Sequence, residues 1–248
     1  MKIQQLIYTI VLVFFVNHAH AWSITPMVST LTPEKRTMSI TINNKGSKDM
    51  AAIKLSVQSR TQDINGNEIR TATKDLRVFP KQIIVKPDKI VNVRVLIVKP
   101  NKSTHEKSYR IIAEAVALKK DAEAGSGVQM LLKYVTSLYL PPRNENLVDL
   151  DIRSAKLSKD ELILDVSNTS TQHQIMSVKE ITTSVAGKEV SVDIEDKLFN
   201  VLSNSQINMH IPITPEEYGI LKLNPIISFT NKCLSCDIFK KITLNVEQ

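Results

Sequence analysis

The sequence predicts an all-β protein of two sandwich domains that follow a cleaved export signal. Three observations carry this expectation. Short alternating or β-branched runs broken by turn residues recur along the chain, helical periodicity is scarce, and 248 residues suit two domains of common size.

The export signal comes first. Lys2 precedes an apolar run over residues 6–16, and the chain then reaches Ala19-His20-Ala21, a small-x-small cleavage site. A membrane anchor needs roughly 18 or more apolar residues, whereas this run ends at the polar Asn17 and His18. Residues 1–21 are therefore expected to be removed, leaving a soluble protein that starts at Trp22 and does not insert into a membrane. The apolar fraction of 42% with only 6 Gly fits a globular chain and excludes a disordered or collagen-like one. The net charge of +7 is spread without a basic block, so nucleic acid is not an expected partner.

The strands follow in order. Residues 38–42 alternate up to the turn Asn43-Asn44-Lys45-Gly46, and residues 52–58 pair with them. Asn65-Gly66-Asn67 is a second turn. Residues 82–85 stop at Lys86-Pro87, residues 90–98 stop at Lys99-Pro100, and residues 108–118 precede a polar connection. The run over 128–140 is long for a strand, since strands typically have about five or six residues. Pro141-Pro142-Arg143-Asn144 is rigid and polar, which places a domain boundary there and gives domains 22–142 and 143–248. The second half resumes the rhythm at 162–166, 175–178, 181–185, 189–194, 207–211, 225–229 and 238–246.

Cys233 and Cys236 lie between two of these runs and read as the turn of a hairpin. In an oxidising compartment a local disulfide is the expected state. A redox dithiol normally opens a helix, and a zinc site would need two further ligands.

Enzymatic chemistry is not expected. The mature chain offers His105, His173 and His210 as imidazole bases, with no nucleophile motif around any serine. His105 and His173 sit in polar segments that read as surface loops. Asp149 and Asp151 are two apart on a strand-like stretch, the spacing of an ordinary polar face. No phosphate loop, zinc motif or calcium loop is present, so neither a cofactor nor a metal is expected.

Several pieces, in order, resemble the PapD-like periplasmic pilus chaperones. They are Met38-Ser39-Ile40-Thr41-Ile42-Asn43-Asn44, then Phe79-Pro80-Lys81-Gln82-Ile83-Ile84-Val85-Lys86-Pro87 with Val93-Arg94-Val95, and then Glu106-Lys107-Ser108-Tyr109-Arg110-Ile111. A long alternating strand and a proline-bounded linker follow. The resemblance implies two immunoglobulin-like sandwiches in an L or boomerang arrangement. It also implies a pilus or fimbrial subunit and an outer-membrane usher as partners. The subunit would be held by strand addition, which covers a groove and two edges that otherwise invite aggregation.

On this resemblance the donor strand is residues 128–134, with Val128, Met130, Leu132 and Tyr134 on one face by the period of two. These four are expected to serve the subunit, while Leu131 and Val135 serve the core. The competing reading is that the four fill the core of the first domain. The best-known family members anchor the subunit carboxylate with an Arg and a Lys, but Val28 and either Thr136 or Ser137 stand at those places. This departure points to the alternative or archaic branch. Lys133 is the nearest cation on the strand, either a substitute anchor or a solvated lysine.

Arg94 and Arg110 sit within apolar strands and are expected to form structural ion pairs, with Glu106 or Glu114 or with the second domain. A self-capping dimer is a further expectation, because an apolar donor edge needs cover when idle. The competing non-enzymatic reading is an exported structural protein such as a pilus subunit or adhesin. Its amino-terminal segment would alternate strictly, which Ile24, Met27, Val28 and Leu31 do not.

Overall fold

In the computed structural model, residues 21–117, 131–143, 147–185, 188–222, 225–232, 237–243 and 246–247 are described. Their strands form four sheets that pair into two sandwiches. The first holds β1 (Ser23–Thr25), β2 (Val28–Thr30), β3 (Thr37–Asn43), β4 (Ala51–Gln62), β5 (Glu68–Ala72), β6 (Leu76–Phe79), β7 (Gln82–Val85), β8 (Ile90–Ile97), β9 (Lys107–Ala115) and β10 (Lys133–Leu140). One of its sheets runs β1-β3-β8-β6. The other runs β2-β10-β9-β4-β5, with β7 also on β4. The chain changes sheets twice across a two-residue link that begins with a proline, at Pro26 between β1 and β2 and at Pro80 between β6 and β7. Proline has no N–H to give a ladder, so pairing breaks there and the strand is released to the other sheet.

The period of two puts Ile40 and Ile42 of β3 and Val93 and Val95 of β8 on an inner face. They meet Leu55 of β4, Ile111 of β9 and Leu138 and Leu140 of β10, all buried. The second sandwich holds β11 (Leu150–Leu157), β12 (Glu161–Asn168), β13 (Gln174–Val185), β14 (Lys188–Val201), β15 (Ser205–Pro212), β16 (Pro225–Lys232), β17 (Asp237–Thr243) and β18 (Val246–Glu247). Its sheets run β15-β12-β11-β18 and β14-β13-β16-β17. Leu162, Leu164 and Val166 of β12 centre a separate core with Ile207, Met209 and Ile211 of β15.

The helix among the described residues, α1 (Pro215–Leu221), closes this core with Leu221. Thr214 caps it: its hydroxyl accepts from Glu217 N at 3.2 Å, and the Glu217 carboxylate accepts from Thr214 N at 2.5 Å. Pro215 at the first helical position completes a start signal that the strand-based reading passed over.

Buried asparagines hold the loops. The Asn101 amide donates to His105 O at 2.8 Å and Leu140 O at 2.9 Å, tying the β8–β9 loop to the end of β10. Asn44 and Asn168 do the same elsewhere, Asn44 on Asp49 O and Val85 O and Asn168 on Val201 O and Leu202 O. Each satisfies carbonyls that would otherwise be buried unpaired.

The expected strands at 175–178 and 181–185 are one strand, β13, continued through a register shift between Val178 and Glu180. β16 and β17 pair antiparallel with Lys232 opposite Asp237, the hairpin expected around the cysteines. Cys233 and Cys236 themselves lie outside the described residues.

Leu138 is fully buried in the first core and Leu164 in the second. Leu138→Ala is expected to cost about 2–5 kcal/mol in urea unfolding, whereas Val28→Ala at an exposed site costs under about 0.5 kcal/mol.

Candidate functional site

β10 is held unequally on its two sides. It pairs with β9 along its whole length, but with β2 only where Ser137, Leu138 and Tyr139 lie beside Val28, Ser29 and Thr30. Ser137 N donates to Met27 O at 2.8 Å and Leu31 N to Tyr139 O at 3.0 Å, so odd-numbered residues turn their backbone groups away from β9. Leu132 O accepts from Ala115 N at 2.9 Å, so even-numbered residues face β9. The alternation of an antiparallel ladder then directs the N–H and C=O of Lys133 and Val135 to an edge with no neighbouring strand among the described residues.

The side chains divide the same way. Leu138 and Leu140 are buried, which fixes even positions as inward. Thr136 is buried too, and Leu132 and Tyr134 pack against the first core. The Tyr134 ring meets Trp22 edge-on at 4.7 Å, and its hydroxyl donates to Trp22 O at 2.8 Å. Leu131 is 52% exposed and Val135 is half-buried.

The expected phase is therefore corrected. Leu132 and Tyr134 belong to the core side, and Leu131 and Val135, expected to serve the core, lie on the other face. Val128 and Met130 lie outside the described residues. The adjacent Leu131-Leu132 pair lets either phase read as apolar, and only the packing of Leu138 and Leu140 decides between them. Lys133 is exposed, with its ammonium 3.9 Å from Glu114, a pair worth little.

A cationic cluster stands on the face where Ser137 lies. Val28 and Ser137 are directly opposite each other across β2 and β10, and neither is charged. Arg110 of β9, opposite Ser137 on its other side, donates to the Ser137 hydroxyl and to Glu68 of β5, with Nε 2.8 Å from Glu68 Oε2. Arg60 of β4 sets its Nε 2.8 Å from the same oxygen, an ionic contact without hydrogen-bond alignment, and its Nη1 3.4 Å from the Tyr139 hydroxyl. Arg70 binds the other oxygen, Oε1. Three guanidiniums on one carboxylate leave a net positive site.

Arg110 thus pairs with Glu68, not with Glu106, Glu114 or the second domain as expected; β5, which carries Glu68, follows the Asn65-Gly66-Asn67 turn and is not among the expected strands. Arg94 is exposed, and no acid is paired with it among the described residues.

Glu106 does reach the second sandwich. Its carboxylate lies 2.7 Å from His173 Nδ1, and both side chains are buried. The His173 ring stacks on Tyr139 with centroids 3.9 Å apart and planes 7° apart. His173 is therefore a seam residue and not the surface loop residue its polar neighbours suggested, whereas the half-buried His105 and the exposed His210 face solvent at least in part. Asn200 Nδ2 donates to the Tyr139 hydroxyl at 3.0 Å, and Gln62 bonds Asn200 O at 2.9 Å and Leu202 N at 2.8 Å. Tyr139 so joins the cationic cluster to the seam. No group of three or more His, Cys, Asp or Glu able to hold a metal occurs among the described residues. No helix among them is long and apolar enough to cross a membrane.

Burial works to raise the Glu68 carboxyl, but hydrogen bonds from Arg110 and Arg70 and the charges of Arg110 and Arg60 outweigh it and bring it down to about 2. Burial and then the Arg110 charge lower Arg60 from its usual range. A carboxylate whose folded value is depressed contributes stability above its unfolded value, near 4.5, and that contribution fades as pH falls toward about 2. Glu68→Gln is expected to cost about 2 kcal/mol at pH 7. In urea unfolding followed from pH 7 to pH 2, the gap between wild type and variant is expected to close below pH 4.5.

Residues 23–145 match the family described as the pili and flagellar-assembly chaperone, PapD N-terminal domain. No curated protein sequence matches the chain significantly. Among solved structures, a complex of the CFA/I fimbriae chaperone with its tip adhesin is 14% identical with a TM-score of 0.56, over 91% of this chain and 100% of that one. The CsuC–CsuE chaperone–tip adhesin complex of archaic Csu pili from Acinetobacter baumannii is 15% identical with a TM-score of 0.55, over 76% and 89%. The class 5 fimbriae chaperone CfaA is 16% identical with a TM-score of 0.53, over 91% and 100%. The two-sandwich fold is shared with these proteins. Through residues 23–145, its PapD N-terminal domain, the chain belongs to the pili and flagellar-assembly chaperone family.

Proposed function

We propose that this protein is the periplasmic chaperone of a chaperone–usher pathway and binds pilus or fimbrial subunits by adding β10 to them. The observation that carries the reading is the open edge of β10 at Lys133 and Val135, with Leu131 and Val135 on its non-core face. A subunit that lacks one strand exposes a groove and two unpaired edges, and such a strand supplies both backbone partners and apolar side chains. The family of the first domain and the chaperone complexes that share the fold support the same reading. The donor face is the odd-numbered one, with Leu131 and Val135 on it.

Arg110 and Arg60 take the place of the missing anchor. Arg110 reaches across to Ser137, beside Val28, and so brings a cation to the neutral positions where the family's best-known members carry basic residues. A terminal carboxylate of the subunit would be neutralised there by two guanidiniums that already share only one acid. The amino-terminal signal, export to the periplasm, delivery to an outer-membrane usher and self-capping through the β10 edge complete the proposal. In it the chain performs no chemistry.

The test is co-expression in a periplasm with a fimbrial subunit, followed by capture on a tagged chaperone. Leu131→Asp with Val135→Asp is expected to lower subunit recovery at least about tenfold at unchanged melting temperature. Arg110→Gln lowers it too, and a subunit extended beyond its natural carboxyl terminus loses the Arg110 dependence. Leu132→Asp is expected instead to destabilise the first domain by about 2–3 kcal/mol, since it sets a charge against the apolar core that Leu132 packs on. Undiminished recovery with the folded Leu131/Val135 variant would overturn the reading.

A further inference from the structure

By strand order, β4 and β6 lie on the side of the first sandwich away from β10. There the two sheets part around a groove of about 870 Å³. Its floor is apolar, made by Leu55 and Val57 of β4 and Leu76 and Val78 of β6. Its rim carries Lys54, Lys74, Arg77, Lys81 and Lys99, all exposed, and no aspartate or glutamate lines it. None of the five is in an ion pair among the described residues. The two acids beside the rim are engaged by other cations or donors: Asp75 accepts from the Tyr109 hydroxyl at 2.9 Å and Lys107 at 3.3 Å, and Glu114, opposite Lys54 across β4 and β9, lies 3.9 Å from the Lys133 ammonium.

The backbone on both walls is short of partners as well. β6 is the last strand of its sheet, so one edge of residues 76–79 has no strand beside it among the described residues. On the facing side, β7 pairs with residues 51–54 of β4 and β5 with residues 58–62. That leaves residues 55–57 between them, where Leu55 N donates to Lys81 O at 2.7 Å. Five cations around an apolar floor repel one another unless an anionic partner compensates them. Unpaired strand edges beside that floor suit an extended backbone better than a lipid headgroup, because they supply N–H and C=O partners in register.

We propose that this groove docks an extended segment of a partner protein in which acidic and apolar side chains alternate, the apolar ones on the accessible Val57 and Val98 and the carboxylates on the lysine and arginine rim. The site is separate from the β10 edge, and the proposal does not depend on what β10 binds.

The experiment uses the full mature chain and a fluorescein-labelled peptide of three Glu-Val repeats, with a Lys-Val peptide of the same length as control, read by fluorescence anisotropy. The Glu-Val peptide is expected to bind, to weaken as salt rises, and to lose at least about tenfold in affinity with Arg77→Glu plus Lys81→Glu. The gentler Lys54→Gln plus Lys99→Gln is read if the first variant does not fold. Leu131→Asp, which disables the β10 face, is expected to leave peptide binding unchanged. Failure of the Glu-Val peptide to bind, equal binding of both peptides, or binding insensitive to both groove variants would overturn the proposal. So would groove-dependent binding to vesicles of one part phosphatidylglycerol to three parts phosphatidylethanolamine without peptide binding, which would assign the groove to a lipid surface.

Discussion

The packing of Leu138 and Leu140 into the first core sets the phase of β10, and much of the site follows from that phase. With even-numbered residues inward, Tyr134 is drawn onto Trp22 and Thr136 is buried. The odd-numbered residues then carry the outward backbone groups along the edge, with Ser137 placed beside Arg110. A shift of one residue would exchange the two faces. Because β2 covers the strand only from Ser137 to Tyr139, the phase also decides which backbone groups are left for a partner.

The same strand end ties the two sandwiches together. Tyr139 stacks on His173 and receives Asn200, while Asn101 holds Leu140 O from the other side. Glu106 and Gln62 add bonds across the seam within a few residues of Arg60 and Glu68. The cationic cluster is therefore built on strands whose positions are fixed both by the first core and by contact with the second sandwich. Preorganisation of this kind lowers the ordering cost of binding.

The fold was legible from the sequence because it rests on period-two patterning and turn residues. The strands at 38–42, 82–85 and 90–98 are reproduced as β3, β7 and β8, with ends that differ by a residue at most. Less legible were elements whose signal is weak or spread out. β5 has one half-buried position and four exposed ones, so Glu68 and Arg70 carried no alternation to reveal a strand, and the partner of Arg110 stayed hidden. β11 carries an irregularity between Ile152 and Ser154 that breaks its alternation. His173 read as solvated because its neighbours are polar, yet it is buried against a residue 34 positions earlier in the sequence, a tertiary fact without a local signature. The site was legible as a strand but not as a face, since the doublet Leu131-Leu132 satisfies both phases and long-range packing alone separates them.

Amide hydrogen exchange along β10, on the mature chain alone and in complex with a captured fimbrial subunit, addresses the central claim most directly. Tyr134 and Thr136 face β9 and are expected to exchange slowly in both states. Lys133 and Val135 are expected to exchange fast in the free chain and slowly in the complex. Fast exchange of Lys133 and Val135 in the complex, with new protection appearing elsewhere, would contradict strand addition at this edge.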